Sequence, residues 1–125
     1  MIEEENKQKY QQMVQYQLSN ELIYACLLGD LEIVGYLLTS PDLKDHADIH
    51  FNNDCALASA CTYGHVEIIK YLIFDYQIEK TKDIENYLVE NEKEEILNLF
   101  EKREFEEKLQ NELRDVNIAS NKIKL

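Results

Sequence analysis

ACLLGDLEIVGYLL at residues 25–38 and ACTYGHVEIIKYLI at residues 60–73 are one phrase written twice, at an offset of 35 residues. Ala25/Ala60, Cys26/Cys61, Gly29/Gly64, Glu32/Glu67, Ile33/Ile68, Tyr36/Tyr71 and Leu37/Leu72 are identical pairs. Self-similarity at such a period marks stacked supersecondary units, each too small to bury its apolar face alone. Within each copy a short helix ends at the glycine, which takes a left-handed conformation without a Cβ clash. Asp30 then caps a second helix in the first copy. The expected core is Leu22, Ala25 and Cys26 in the first copy, with Leu57, Ala60, Cys61, Val66, Ile69, Leu72 and Ile73 in the second. Gly35 stands inside a helix, where it costs about 1 kcal/mol relative to Ala, and the reading is close packing against a neighbour.

A third, degenerate copy follows. EIIKYL at 67–72 maps onto EILNLF at 95–100 at an offset of 28, which places Leu88 and Val89 on Ala60 and Cys61. Gly64 maps onto Glu92, and Asn91 is expected to supply the left-handed residue. The units run 19–53, 54–81 and 82–100. Segment 39–53 holds the lone proline, Pro41, and reads as a long surface loop. Residues 1–18 carry Tyr10, Met13, Val14 and Leu18 at helical spacing, an N-terminal capping helix. Residues 101–116 carry Phe105, Leu109, Leu113 and Val116 at helical spacing, a C-terminal capping helix. Residues 117–125 lack periodicity and read as a flexible tail. The fold class is all-α, a helix-turn-helix repeat solenoid with helical caps.

The chain has 125 residues, enough for one domain. Only 3 Gly and 1 Pro interrupt it, which favours helix. Net charge is -12, from 25 acidic and 13 basic residues. Like-charge repulsion then argues against nucleic acid and anionic membranes as partners and favours a basic protein. No apolar run reaches membrane-spanning length. The acidic start MIEEENKQKY is unlike a secretory leader. Three cysteines is an odd count with no CxxC pair, which fits a reducing, cytoplasmic setting. Cys26 and Cys61 read as small core residues, and Cys55 as more exposed.

CALASACTYGHVEIIKYLI at 55–73 resembles the ankyrin repeat pattern TPLHxAAxxGHxEVVKLLL, through Gly64, His65, Glu67, Ile68, Ile69, Lys70 and Leu72. HADIHFNND at 46–54 resembles the family's GADVN finger. The resemblance covers about residues 19–100. The TPLH tetrapeptide is absent: Asn20-Glu21-Leu22-Ile23 and Cys55-Ala56-Leu57-Ala58 stand there. The resemblance implies a non-catalytic protein-binding module that uses its concave face and finger loops. Carried over by position, it implies contacts from Leu28, Thr62, Tyr63 and Glu90 beside the turns. Phe51, Asn52 and Asp54 would contribute from the finger, with Phe51 and Tyr63 as exposed aromatic anchors.

Other chemistry has little footing. His46, Asp48 and His50 alternate, yet no zinc pattern accompanies them, so no metal site is assigned. His65 is read as a local hydrogen-bonding residue at a helix start. No nucleophile elbow, phosphate loop or other catalytic motif is present, and no enzyme activity or cofactor is assigned. Two alternatives stay open beside protein binding: an acidic inhibitor or nucleic-acid mimic that blocks a basic partner, and a structural subunit of an assembly. Monomer and weak homo-oligomer are both compatible with the sequence, as are action in its own cytoplasm and delivery to a host cell.

Overall fold

The structure, a computed structural model, describes residues 2–123, with side chains to residue 116. The chain forms α1 (Glu4–Gln11), α2 (Gln15–Leu28), α3 (Leu31–Thr39), α4 (Phe51–Thr62), α5 (Val66–Lys70), α6 (Lys82–Glu90) and α7 (Glu94–Ile123). Helix α5 runs on into a π-helical turn, Tyr71–Asp75. The pairs α2/α3, α4/α5 and α6/α7 are the three units. Their packing yields one continuous core, in which Leu18, Leu22, Cys26, Val34, Leu37, Ala60, Leu72, Ile73, Leu88 and Phe100 are fully buried.

The repeat reappears in the backbone. Asp30 N–H donates to Ala25 O at 3.0 Å, His65 N–H to Ala60 O at 2.9 Å and Lys93 N–H to Leu88 O at 2.8 Å. These bonds are equivalent under the offsets of 35 and 28 residues. Each closes over a left-handed residue: Gly29 at φ 81°, Gly64 at φ 70° and Glu92 at φ 55°. The third turn is therefore made by Glu92 and not by Asn91, whose φ is -100°. Asn91 instead donates its side-chain N–H to Tyr87 O at 2.8 Å. Asp30 caps α3 as expected, accepting from Ile33 N–H at 3.1 Å.

Several expectations need correcting. Val66 is 51% exposed, and Ile68 takes the buried place beside Ile69. The loop after α3 is not simply a surface loop, because it buries Leu43, Ala47 and Ile49. The N-terminal helix packs by Tyr10, which is buried beside Tyr36 with ring centroids 6.1 Å apart, while Val14 stays exposed. Gly35 has no tight neighbour: a Cβ there would meet Tyr71 Oη at 3.7 Å, an ordinary contact. Val89, expected in the core, is exposed.

Helix α7 departs most from the reading as a packed cap. Ile96 and Phe100 are buried. Arg103 anchors the helix, donating from one guanidinium nitrogen to Ile73 O at 3.2 Å and Ile78 O at 2.6 Å, and Glu104 pairs with Lys80 at 3.6 Å. Beyond these two residues, Phe105, Leu109, Leu113 and Val116 are all exposed, so their stripe does not cover the array. The tail expected at 117–125 falls where no side chain is described.

Burial pushes the thiols of Cys26 and Cys61 up to about 12. Both cysteines are buried and free, and Cys55 is half-buried. A thiol reagent at pH 8 is expected to label Cys55 first, since thiolate is the reactive form. Cys26 and Cys61 should react only on unfolding. Mass mapping of the labelled native chain checks this, and early labelling of Cys61 would contradict the packing.

Candidate functional site

The residues expected at the partner surface divide into two groups. Leu28, Thr62, Tyr63 and Glu90 end the first helix of each unit and stand exposed along the row of turns. Leu28 is 61% exposed and Tyr63 is 59% exposed. The Tyr63 ring stacks at 6.5 Å on the ring of His65. Thr62 has structural work as well, since its hydroxyl donates to Ala58 O at 2.8 Å and lies 2.5 Å from Tyr87 Oη. Tyr87 also donates to Ala58 O at 3.1 Å, which ties the third unit to the second.

The finger residues behave differently. Asn52, Asn53 and Asp54 are all left-handed, with φ between 56° and 62°. Asn and Asp visit this region at lower cost than other side-bearing residues, so FNND is a sequence suited to a left-handed turn. The turn swings Asp54 inward until it is 4% exposed. There it accepts from His50 Nδ1 and, at 2.6 Å, from the hydroxyl of Thr81. Thr81 in turn caps α6 by accepting from Ile84 N–H at 3.2 Å. Asp54 is thus a structural tie between units and is withdrawn from the partner surface. Phe51 is corrected too: it is half-buried, edge-on to Tyr16 with centroids 5.3 Å apart. Only Asn52 of the three stands in solvent.

Asp54→Ala should cost about 1–3 kcal/mol, because two half-buried donors lose their acceptor and the left-handed turn loses an Asx residue. Asp54→Asn keeps the turn preference and one acceptor oxygen, so its loss should be smaller. Urea unfolding of the two variants checks this, and equal midpoints would contradict a buried carboxylate tie.

The histidines do not converge. His46 Nε2 donates to Ser40 O at 2.7 Å, and His50 is held by Asp54. His65 reaches across units, donating from Nε2 to Leu27 O at 2.8 Å, and makes no cap for its own helix. Cys55 Sγ lies 3.8 Å from Ser59 Oγ. Among the described residues no three His, Cys, Asp or Glu side chains are grouped to hold a metal. The space beside Asp54 and Tyr87 is about 40 Å³, room for a water.

Two surface aromatics were missed from sequence. Tyr16 and Tyr24 are 64% and 61% exposed on α2. Their signal was available: 16, 20, 24 and 28 recur every four residues, on the side away from buried Leu18, Leu22 and Cys26.

A family model for ankyrin repeats in three copies matches residues 6–84. The chain belongs to the ankyrin repeat family. No curated protein and no solved structure matches it. The ankyrin match begins within α1, earlier than the resemblance did, and ends within α6, so α7 lies outside it. Ankyrin repeats are generally protein–protein interaction modules and are typically non-catalytic. In this ankyrin chain the units are tied by His50–Asp54–Thr81 and by His65 to Leu27, where the family's TPLH is missing. Among the described residues no helix is long and apolar enough to cross a membrane.

Proposed function

We propose that the chain binds another protein through the exposed side of its first helices and the row of turns, without catalysing a reaction. The observation that carries this reading is the stripe of exposed Tyr16, Tyr24 and Leu28 on α2, joined by Tyr63 at the next turn. Large, stiff aromatic side chains bury much area at low entropic cost and dominate interface energetics. Thr62, Glu90 and Asn52 are the polar neighbours that would fix register.

The partner is basic in this reading. Residues 1–100 hold 19 acidic and 7 basic side chains, whereas residues 101–125 hold 6 of each. The whole net charge thus sits on the array, where it would steer a basic partner towards the aromatic stripe. Three unpaired thiols suit action in a reducing cytoplasm.

The test starts from affinity capture out of source or host lysate, followed by kinetics on the purified partner. Leu28→Ser/Tyr63→Ser should weaken binding at least about 30-fold, as two hot-spot losses of about 1–2 kcal/mol each would. Association should slow several-fold between about 50 and 300 mM salt. A partner retained equally by the double variant would show that another face binds, and a salt-independent on-rate would remove the basic partner.

A further inference from the structure

We propose that the second half of α7 is a self-association surface on which two copies of this chain pair antiparallel. Phe105, Leu109, Leu113 and Val116 are 66%, 44%, 55% and 63% exposed, four large apolar side chains on one continuous helix. At about 100° per residue they centre roughly 130° around the axis from Ile96, Leu99, Phe100 and Arg103, which face the array. A straight helix cannot turn both faces to one array. The stripe is therefore open to a partner from the other side. A helical stretch of about a dozen residues is also marginal in water without a packed face.

Charge selects a second copy as the occupant. Two arrays of net charge -12 repel, but residues 101–116 hold 6 acidic and 4 basic side chains, so most of the repulsion is carried away from the contact. Lys108, Glu112 and Asp115 lie along one edge of the stripe by the same helical geometry. In an antiparallel pair that edge meets itself. With the twofold axis between Gln110 and Asn111, Lys108 falls beside Glu112 and within a turn of Asp115 of the second copy. Phe105 then meets Val116, large against small, and Leu109 falls beside Leu113. A parallel pair would instead set Glu101 near Glu106 of the second copy, with like charges together.

The four side chains offer roughly 400 Å² of apolar surface per copy, so the pair with its flanks reaches only the low end of the about 1,200–2,000 Å² of specific interfaces. A contact at that end is expected to be weak, with a dissociation constant of roughly micromolar order. The surface is separate from the aromatic stripe of α2, and the two readings stand or fall independently.

Sedimentation of the full chain under reductant, from about 1 to 300 µM, tests it over the range where such a dimer forms. The wild type should shift from monomer to dimer. Leu109→Glu should weaken the dimer at least about 30-fold by placing a charge in the seam. Lys108→Glu should weaken it about 5-fold, and Lys108→Glu/Glu112→Lys should restore it to within about 2-fold. Val89→Glu and Leu28→Ser/Tyr63→Ser, on other faces, should dimerise as the wild type does. Circular dichroism at low concentration should show every variant folded. A wild type that stays monomeric throughout, or a Leu109→Glu chain that dimerises normally, would overturn the proposal. Failure of the charge swap to restore pairing would overturn the antiparallel arrangement.

Discussion

Phe100→Ala is expected to cost about 3–5 kcal/mol and to lower the melting temperature by more than about 10 °C. Phe100 is fully buried in α7, where the offset of 28 puts it on Leu72 of the second unit. Truncation loses the transfer energy of the ring and leaves a cavity that a close-packed array only partly collapses. The loss also falls on one place. Stability in a repeat array is close to a sum of units and their interfaces, so weakening the last interface frees the third unit first. The variant should therefore melt in two stages, with amides of α6 and α7 exchanging before those of α2 and α4. Phe105→Ala is the matched control, since its ring is 66% exposed. In dilute solution it should stay within about 0.5 kcal/mol of the wild type. Calorimetry and hydrogen exchange check both, and equal losses at the two positions would contradict the path of α7.

Gly29→Ala should be nearly as damaging, with a loss of about 2–4 kcal/mol. The left-handed φ of 81° alone penalises a side chain there. A Cβ would in addition meet the His65 ring at 2.7 Å. That ring is held by its bond to Leu27 O, so moving it gives up the tie between the first two turns. Gly64→Ala has the same backbone penalty at φ 70° but no atom within 4 Å, and should lose only about 1–2 kcal/mol. Gly35→Ala lies in regular helix with room for a methyl and should gain up to about 1 kcal/mol. One chemical change thus gives three outcomes, ordered by backbone conformation and by what stands opposite. Denaturant midpoints of the three variants settle the order, and a benign Gly29→Ala would refute the His65 tie.

Much of the scaffold was legible because its signals are local. The spacing of Leu22, Ala25 and Cys26 fixes one face of a helix, and Leu57, Ala60 and Cys61 repeat it. Gly29 and Gly64 announce left-handed turns by composition alone. At the third turn Asn91 is the better left-handed former by type. The closing bond from Lys93 to Leu88 puts the strain on Glu92 instead. Propensity yields there to a geometry imposed by stacking. At the candidate surface, Leu28 and Tyr63 stand exposed as the register implied. Phe51 and Asp54 do not, because the left-handed Asn52–Asp54 turn brings one against Tyr16 and the other under Thr81.

The sequence by itself determined the repeat, its register, the helix pairs, the core positions on the first helix of the first two units and the acidic character of the array. Periodicity and residue type suffice for these, because they depend on neighbours within a few positions along the chain. Only the tertiary structure decided what lies opposite each face. It sent His65 to the carbonyl of Leu27, folded Asp54 inward and left Gly35 without a close neighbour. It also turned the Phe105–Val116 stripe of α7 away from the array that its first half covers. A helical pattern records that a face is apolar, and the direction of that face in space is set by how the preceding turns of the same helix are anchored.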